Sequence, residues 1–180
     1  MTEPQTVALY TAAFDQSPGA SHRLLRQAAL RYAPALADLT LASGAHGKPY
    51  FPHAPQVQFS ISHSGSCWVC AFSGRPVGID VQQHRACRMQ AIASRFFFPE
   101  ELAYLDRTAY APFFDLWCAK ESLLKLTGQG LGGLTRVCTV SPGGEFPSVE
   151  GASLQLLPFR AGYSLCVCTW EPARIDLRTL

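Results

Sequence analysis

The segment "FFDLWCAKESLLKLTGQG", residues 113–130, holds the residues best suited to chemistry. Its pattern predicts a single helix that ends at a glycine. At ~100° per residue, Lys120 projects into the middle of the apolar face and Glu121 lies at its edge. A buried ammonium group is unfavourable unless it is paired or bound to an anion. The rest of the chain or a bound molecule must therefore supply a partner for Lys120.

Lys125 follows Glu121 by four residues on the same predicted helix. This spacing allows a helix salt bridge of ~0.2–0.5 kcal/mol, which would account for both residues and leave Lys120 unexplained. Two lysines that flank one carboxylate could equally clamp a polyphosphate and its metal. Mg²⁺ usually takes one or two carboxylates together with phosphate oxygens and water.

The strand-like run "VGIDVQQ" supplies a second carboxylate, Asp80. Side chains alternate along a strand, so Asp80 faces away from Ile79 and Val81. Spacing alone favours a solvent-facing acid on a half-exposed strand. Gln82 would point to the same side as Asp80 and would offer a neutral oxygen ligand.

The run "ISHSG" places Ser62 and His63 at the end of another predicted strand. A Ser/His/Asp arrangement with Asp80 is conceivable, but the chain has no G-x-S-x-G motif. Hydroxyl and imidazole groups that cap a turn explain these residues equally well. His63 could also donate a hydrogen bond to a phosphate.

A modest basic set lies nearer the N-terminus, with Arg23 on a predicted helix and Lys48 in the loop "HGKPYF". For Arg23 and its helical neighbour Arg26, a solvated face is the default interpretation. The glycine-rich "GQGLGG" lacks the Lys-Ser/Thr that ends a P-loop, so it is read as a helix stop and a turn.

The elements that must position these residues are strands and helices in alternating groups. The predicted strands are "TVALYTAAF", "VQFSISH", "CWVCAFSG", "PVGIDVQQ", "TRVCTV", "ASLQLLPF" and "YSLCVCTW". The predicted helices are a first one capped by Ser21, then "RMQAIASRFFF", one begun by "PEELAYL", and the helix at 113–127. The pattern predicts an α+β fold with pseudo-twofold symmetry, in which two similar halves, 1–86 and 87–180, each have an antiparallel sheet packed on helices.

Composition limits the classes of function. The 180 residues carry a net charge of +2, which disfavours general nucleic-acid binding. Only 16% of residues are charged, against about 25% in typical proteins. No apolar run is long enough to span a membrane and no secretion signal is recognisable, so we expect a cytoplasmic protein without a membrane partner. The seven cysteines, an odd number without metal-site spacing, are expected to be reduced thiols.

Five segments in this order and spacing, "HGKPYF", "FSISHSG", "VGIDVQ", "RFFFPEE" and "WCAKESLLK", resemble the 4′-phosphopantetheinyl transferase superfamily. The likeness is to the surfactin-synthetase-activating type, in which two similar halves lie in one chain, and it runs from about His22 to Lys125. Each motif alone is weak, whereas the ordered set is specific. The family transfers the phosphopantetheine arm of coenzyme A to a serine of an acyl or peptidyl carrier protein, as a holo-[acyl-carrier-protein] synthase does, and releases 3′,5′-ADP.

The resemblance implies a role for each matching residue. Asp80 and Glu121 would hold Mg²⁺, with Gln82 as a doubtful third ligand because close relatives have an acid at its position. Catalysis would fall to Asp80, Glu121 and Lys125. The residues implied in coenzyme A binding are Arg23, Lys48, Ser62, His63, Lys120 and Lys125. Lys120 would then find its partner in the pyrophosphate of the substrate.

Three further expectations concern partners and alternatives. A carrier protein would dock through an acidic helix near Arg88, Arg95 and the phenylalanines at 96–98, and joined halves would work as a monomer. Two other classes stay open, a Mg²⁺-dependent hydrolase of nucleotide pyrophosphates and a coenzyme A-binding regulatory module without catalysis.

Overall fold

The computed structural model describes residues 4–36 and 38–180, with the Leu131 side chain excepted. The strands are β1 (Gln5–Ala13), β2 (Ala42–Ser43), β3 (Pro49–Tyr50), β4 (Gln58–Ser64), β5 (Cys67–Ser73), β6 (Val77–Gln83), β7 (Ser153–Leu156), β8 (Tyr163–Thr169) and β9 (Ala173–Thr179). The helices are α1 (Ala20–Tyr32), α2 (Met89–Phe96), α3 (Pro99–Arg107) and α4 (Phe113–Thr127), followed by a 3₁₀ turn at Leu131–Arg136. The predicted α+β class is confirmed.

Each of the two larger sheets contains strands from both halves of the sequence. The first sheet has the order β4-β5-β1-β9 and the second β6-β8-β7. β9 runs parallel to β1, from Gln5 opposite Ala173 to Thr11 opposite Thr179. The first sheet is therefore mixed, and the prediction of an antiparallel sheet in each half was wrong because no strand was expected at 173–179. The pseudo-twofold relation and the boundary at 86/87 stay predictions.

Because side chains alternate along the strands, a buried apolar layer forms on each face of the first sheet. One face of the first sheet packs on α1 through residues such as Trp68, Phe72 and Leu25. Its other face packs on the second sheet, where Val69 and Ile79 belong to the same buried cluster. Helix α4 contacts β6 and β8 on the remaining face of the second sheet. The second sheet thus lies between the first sheet and α4.

Gly78 allows an unusually close contact between β6 and α4. A Cβ atom on Gly78 would lie 1.9 Å from the Ser122 carbonyl oxygen and 2.5 Å from the Leu126 backbone nitrogen, so only glycine fits. This contact brings the middle of α4 directly over β6, the strand that carries Asp80.

The outer strands β4 and β6 of the two sheets are joined by serine side chains. Ser60 Oγ accepts a hydrogen bond from the Ile79 backbone N–H at 3.1 Å, and Ser64 Oγ accepts one from the Gln83 N–H at 3.0 Å. Both serines lie on the β4 face that is directed toward the second sheet, since they stand opposite Ala71 and Cys67 of β5. The serine spacing in "FSISHS" therefore links the two sheets.

Two local predictions were wrong. Ser21 does not cap α1, which begins after Gly19 (φ 75°); its hydroxyl accepts a hydrogen bond from Trp68 Nε1 at 2.9 Å. The predicted strand "TRVCTV" is a 3₁₀ turn followed by irregular backbone, because buried side chains bind its Val137 carbonyl and Thr139 N–H. By contrast, Gly128 ends α4 in the left-handed conformation, as predicted.

The cysteines agree with the sequence analysis. All seven are free thiols, and Cys67 and Cys70 belong to clusters on opposite faces of the first sheet.

In the parts of the chain that the structure describes, no helix has the length and apolarity needed to cross a membrane.

Candidate active site

Lys120 has an internal partner, Glu101 of α3. Lys120 Nζ lies 2.6 Å from Glu101 Oε2, and both side chains are completely buried. Lys120 also donates to the Val137 carbonyl at 2.5 Å. The second carboxylate oxygen of Glu101 accepts from the backbone N–H and the hydroxyl of Thr139, at 2.8 and 2.9 Å. Each charged group of this pair is therefore neutralised and hydrogen-bonded within the chain.

This pair corrects the role predicted for Lys120. The ammonium group was expected to bind an anion of the substrate, yet it has no exposed surface and its anion is Glu101. The rings of Phe97 and Phe98 lie 5.2 Å from Nζ and enclose it further. Burial lowers the pKa of Lys120, and the adjacent Glu101 carboxylate opposes that shift.

Asp80 forms the centre of a second charged cluster, between β4, β6 and α4. Its Oδ1 atom accepts hydrogen bonds from Ser62 Oγ at 2.6 Å and from Lys125 Nζ at 2.7 Å. Its Oδ2 atom is buried and has no hydrogen-bond partner. Asp80 is only 5% exposed, so it is not the solvent-facing acid that spacing favoured. Lys125 forms its ion pair with Asp80 of β6, whereas the four-residue spacing alone suggested a helix salt bridge with Glu121.

Glu121 brings a second carboxylate to the same cluster. It is 7% exposed, and burial together with the nearby Asp80 charge raises its pKa to about 7, against the opposing effect of Lys125. Two buried carboxylates that share one ammonium group leave negative charge uncompensated. The cluster is therefore suited to a cation.

A cavity of about 350 Å³ adjoins this cluster. Its charged lining residues are Lys48, Glu121 and Lys125, and the remaining ones come from the 46–49 loop, β4 and the end of α4. A second cavity of about 280 Å³ shares Lys48 and His46 with it. Cavities of this size hold small ligands. The amines of Lys48 and Lys125 make the cavity suitable for an anion.

Lys48 also connects the 46–49 loop to β6 and α4 through hydrogen bonds. Its Nζ donates to the Val77 carbonyl at 3.2 Å and to the Leu126 carbonyl at 3.4 Å. Burial lowers its pKa. The structure thus brings Lys48 to the cavity that Glu121 and Lys125 line.

The oxygen donors around Asp80 meet only part of the requirements of a magnesium ion. No group of three or more His, Cys, Asp or Glu side chains with metal-binding geometry occurs among the described residues. Asp80 and Glu121 nevertheless provide two carboxylates, and one oxygen of Asp80 has no donor. Mg²⁺ is commonly held by one or two carboxylates, and phosphate oxygens complete its shell. The residues therefore fit a magnesium ion that a diphosphate ligand helps to hold.

The structure places Gln82 and His63 away from this cluster. Gln82 is half-buried and lines a separate cavity of about 170 Å³ with Arg85 and Trp117. His63 lies on the opposite face of β4 from Ser62. Its ring stacks on the ring of Phe14, with 4.5 Å between the ring centroids. Their roles in metal and coenzyme A binding stay predictions.

Arg23 lines a separate cavity of about 410 Å³ beside Phe14. Its guanidinium group donates to the Pro18 carbonyl at 3.0 Å and to Ser17 Oγ at 2.9 Å. These contacts fix the guanidinium within its own loop, on the side of the first sheet where His63 lies. The predicted contact of Arg23 with coenzyme A also stays a prediction.

Sequence reasoning missed Glu101, which appeared only within a helix start. Glu101 occupies the third position of α3 after Pro99 at the first, and its carboxylate accepts a hydrogen bond from the Phe98 N–H at 2.9 Å. A glutamate at this position commonly binds the backbone at a helix start. That signal, in "FPEE", identifies Glu101 as a fixed carboxylate near the Phe97–Phe98 pair.

The family model of the 4′-phosphopantetheinyl transferase superfamily matches residues 76–168, which include both lysine–carboxylate pairs, and this chain belongs to that superfamily.

Relatives of the surfactin-activating type support the same assignment. A 4′-phosphopantetheinyl transferase of Bacillus subtilis is 40% identical over 115 residues, or 60% of this chain and 50% of the relative. The transferase Sfp of Bacillus subtilis strain 168 is 38% identical over 52% of this chain and 43% of Sfp. The transferase psf-1 of Bacillus pumilus is 33% identical over 156 residues, 81% of this chain and 66% of psf-1. The chain thus spans about half to two thirds of the length of these relatives.

Proposed function

We propose that this chain transfers the phosphopantetheine arm of coenzyme A to a serine of an acyl or peptidyl carrier protein and releases 3′,5′-ADP. The observation that carries the proposal is the cluster of Asp80, Glu121 and Lys125 beside a cavity with a second lysine, Lys48. Membership of the superfamily supports the same reaction.

The proposed reaction exchanges the phosphoanhydride bond of coenzyme A for a phosphodiester bond to the carrier serine. The serine oxygen bonds to the phosphorus that bears pantetheine, and the bond from that phosphorus to the bridging oxygen breaks. The electron pair leaves with 3′,5′-ADP, and the serine proton passes to a base. When bound, Mg²⁺ supplies Lewis-acid stabilisation of charge on the diphosphate.

Each residue of the cluster has a distinct part in this step. Asp80 and Glu121 would hold Mg²⁺, and Lys125 with Lys48 would bind the diphosphate. Fixed charges of this kind usually supply the largest part of the rate enhancement. Glu121 is the proposed base, directly or through a water molecule, because its carboxylate lines the cavity in which the diphosphate would lie, beside Lys125. Lys120 takes no part, since Glu101 holds it in the core.

The test combines the chain with coenzyme A, Mg²⁺ and an apo carrier protein, with the carrier followed by intact mass. We expect the carrier to gain one phosphopantetheine group, and Mg²⁺ removal to abolish the gain. Glu121→Gln should reduce the rate at least ~10²-fold, whereas the exposed control Glu100→Gln should leave it unchanged.

Other outcomes of this assay would contradict the proposal. Free 3′,5′-ADP without a modified carrier would identify a hydrolase. Binding of coenzyme A without either product would identify a binding module. Transfer by Glu121→Gln at the rate of the unaltered chain would remove Glu121 from the site.

The proposed carrier surface lies around α2. Arg88 and Arg95 are exposed, and the cavity lined by Ile92 and Trp117 offers an apolar groove beside them. An acidic helix with an apolar face would fit this combination. Charge reversal at Arg88 and Arg95 should raise the KM for the carrier, while Arg174→Glu on β9 serves as the matched control. An unchanged KM in the double variant would place the docking surface elsewhere.

A further inference from the structure

We propose that Ser62 is a positioning residue, whose hydroxyl group fixes the Asp80 carboxylate for cation binding. This inference rests on the proposed function, in which Asp80 holds the cation. It assigns Ser62 a role within the protein that differs from a direct contact with coenzyme A.

The hydrogen bond between Ser62 and Asp80 is short and shielded from water. Ser62 Oγ lies 2.6 Å from Asp80 Oδ1, and the two residues are 7% and 5% exposed. Hydrogen bonds to an ionised group at this distance are about twice as strong as neutral ones. Ser62 therefore restricts the orientation of the carboxylate from the side of β4.

The donors around Asp80 are distributed unevenly between its two oxygens. Ser62 and Lys125 both bind Oδ1, and Oδ2 has no hydrogen-bond partner. The neighbouring thiol of Cys118 donates to the Ser164 carbonyl at 3.4 Å, and burial together with its closeness to Asp80 raises the pKa of this thiol. Oδ2 is thus the oxygen that the chain leaves without a donor, and a cation is the partner that would satisfy it.

The serine hydroxyl has a single proton to donate. In the short contact with the Asp80 carboxylate, which is only an acceptor, that proton lies between the two oxygens. Ser62 therefore cannot donate to a phosphate of coenzyme A at the same time. A positioning role explains both its burial and the direction of its hydrogen bond.

The serine row on β4 provides internal controls. Ser60 and Ser64 also reach β6, but they accept hydrogen bonds from backbone N–H groups. Ser62 alone of the three bonds a side chain of β6. Loss of the Ser64 side chain removes a hydrogen bond between β4 and β6. Loss of the Ser62 side chain also removes the hydrogen bond that orients the Asp80 carboxylate.

The experiment measures binding of Mn²⁺, a paramagnetic substitute for Mg²⁺, through the electron paramagnetic resonance signal of the free ion. Ser62→Ala should weaken Mn²⁺ binding about 10–100-fold, the usual effect of losing a group that orients a metal ligand. Ser62→Thr, which keeps the hydroxyl group, should restore most of the affinity. Ser64→Ala should bind Mn²⁺ as the unaltered chain does. The affinity for 3′,5′-ADP without metal should be the same in all four proteins.

Three results would overturn the inference. Equal Mn²⁺ affinity in Ser62→Ala and the unaltered chain would show that Ser62 does not position Asp80, as would the absence of Mn²⁺ binding by either. A loss of 3′,5′-ADP affinity alone would make Ser62 a nucleotide contact. If Ser62→Ala fails to fold, Ser62→Cys, with a weaker donor of similar size, is measured in its place. Failure of the proposed function is separate, since it shows as absence of carrier modification by the unaltered chain.

Discussion

Two lysines of α4, five residues apart, are both paired with carboxylates, yet their surroundings differ. Lys120 and Glu101 have no exposed surface, and the hydrogen bonds of the carboxylate are completed by Thr139 and the Phe98 N–H. The side chain of Lys125 is 29% exposed, and its partner Asp80 keeps one oxygen without a donor.

Under the proposed function, this difference separates a structural pair from a catalytic one. Both charged groups of the Lys120 pair are hydrogen-bonded within the chain and have no exposed surface, so a ligand cannot reach them. The Lys125 pair has spare capacity on both sides, in an oxygen without a donor and an ammonium group that faces a cavity. An unsatisfied polar group in a native fold calls for a partner, and here the second carboxylate of Glu121 indicates a cation.

The largest expected effect is on stability, from Lys120→Met. Removing one member of a buried ion pair leaves the other charge uncompensated and costs about 3–5 kcal/mol. Urea denaturation should therefore show a loss of this size in the free energy of unfolding. Addition of Glu101→Gln to the variant should recover part of it, because the uncompensated charge is then gone. A decrease of less than about 1 kcal/mol in the free energy of unfolding would mean that solvent reaches the Lys120–Glu101 pair.

The second expected effect is a dependence of stability on pH through Glu121. Its pKa is about 7 in the folded chain and 4.5 in the unfolded one, so the folded state keeps a proton that the unfolded state loses. The contribution to stability is fully present below pH 4.5 and is lost as the pH rises through about 7, a decrease of about 3 kcal/mol.

Chemical denaturation across this pH range checks the prediction. Glu121→Gln should remove the decrease, and the control Glu100→Gln should retain it. Mg²⁺ at pH 8 should restore stability to the unaltered chain, because the cation favours the ionised carboxylate. If both variants show the same pH profile, Glu121 is not the group responsible.

The smallest effect on stability is expected for Lys125→Met, the counterpart of the first substitution. Asp80 stays buried when Lys125 is lost, but solvent reaches the Lys125 position and Glu121 can take up a proton. The free energy of unfolding should therefore fall by less than in Lys120→Met. Phosphopantetheine transfer should nevertheless fall at least ~10²-fold. Mg²⁺ should offset the loss of stability here and have no such effect on Lys120→Met. Equal losses in the two methionine variants would invalidate the distinction between the pairs.

Periodicity predicts most of the elements, because it depends on local sequence. The alternation in "VQFSISH" and the glycine after "LLKLT" identify β4 and the end of α4, as the structure confirms. The strand at 173–179 was missed because its partner is β1, about 168 residues earlier in the chain. The backbone at 137–139 is bound by the side chains of Lys120 and Glu101, which local propensity does not include.

The site shows the same division between local and distant information. The sequence places Lys125 and Glu121 together on α4, and the resemblance assigns Asp80 to the same site. Spacing alone made Asp80 a solvent-facing acid, since its burial depends on Ser62 and Lys125, 18 and 45 residues away. Spacing also left the partner of Lys120 open, because Glu101 lies on another helix, and the resemblance then assigned Lys120 to the pyrophosphate of the substrate.

The lack of a side chain at Gly78 sets the spacing of the carboxylates. A single methyl group there would overlap the Ser122 carbonyl and force the helix to retreat from the strand. Glu121 and Lys125 would retreat with it, while Asp80 would stay on its strand. The distance between Asp80 and Glu121, and with it the geometry of the proposed metal site, thus depends on a glycine that itself contacts no ligand.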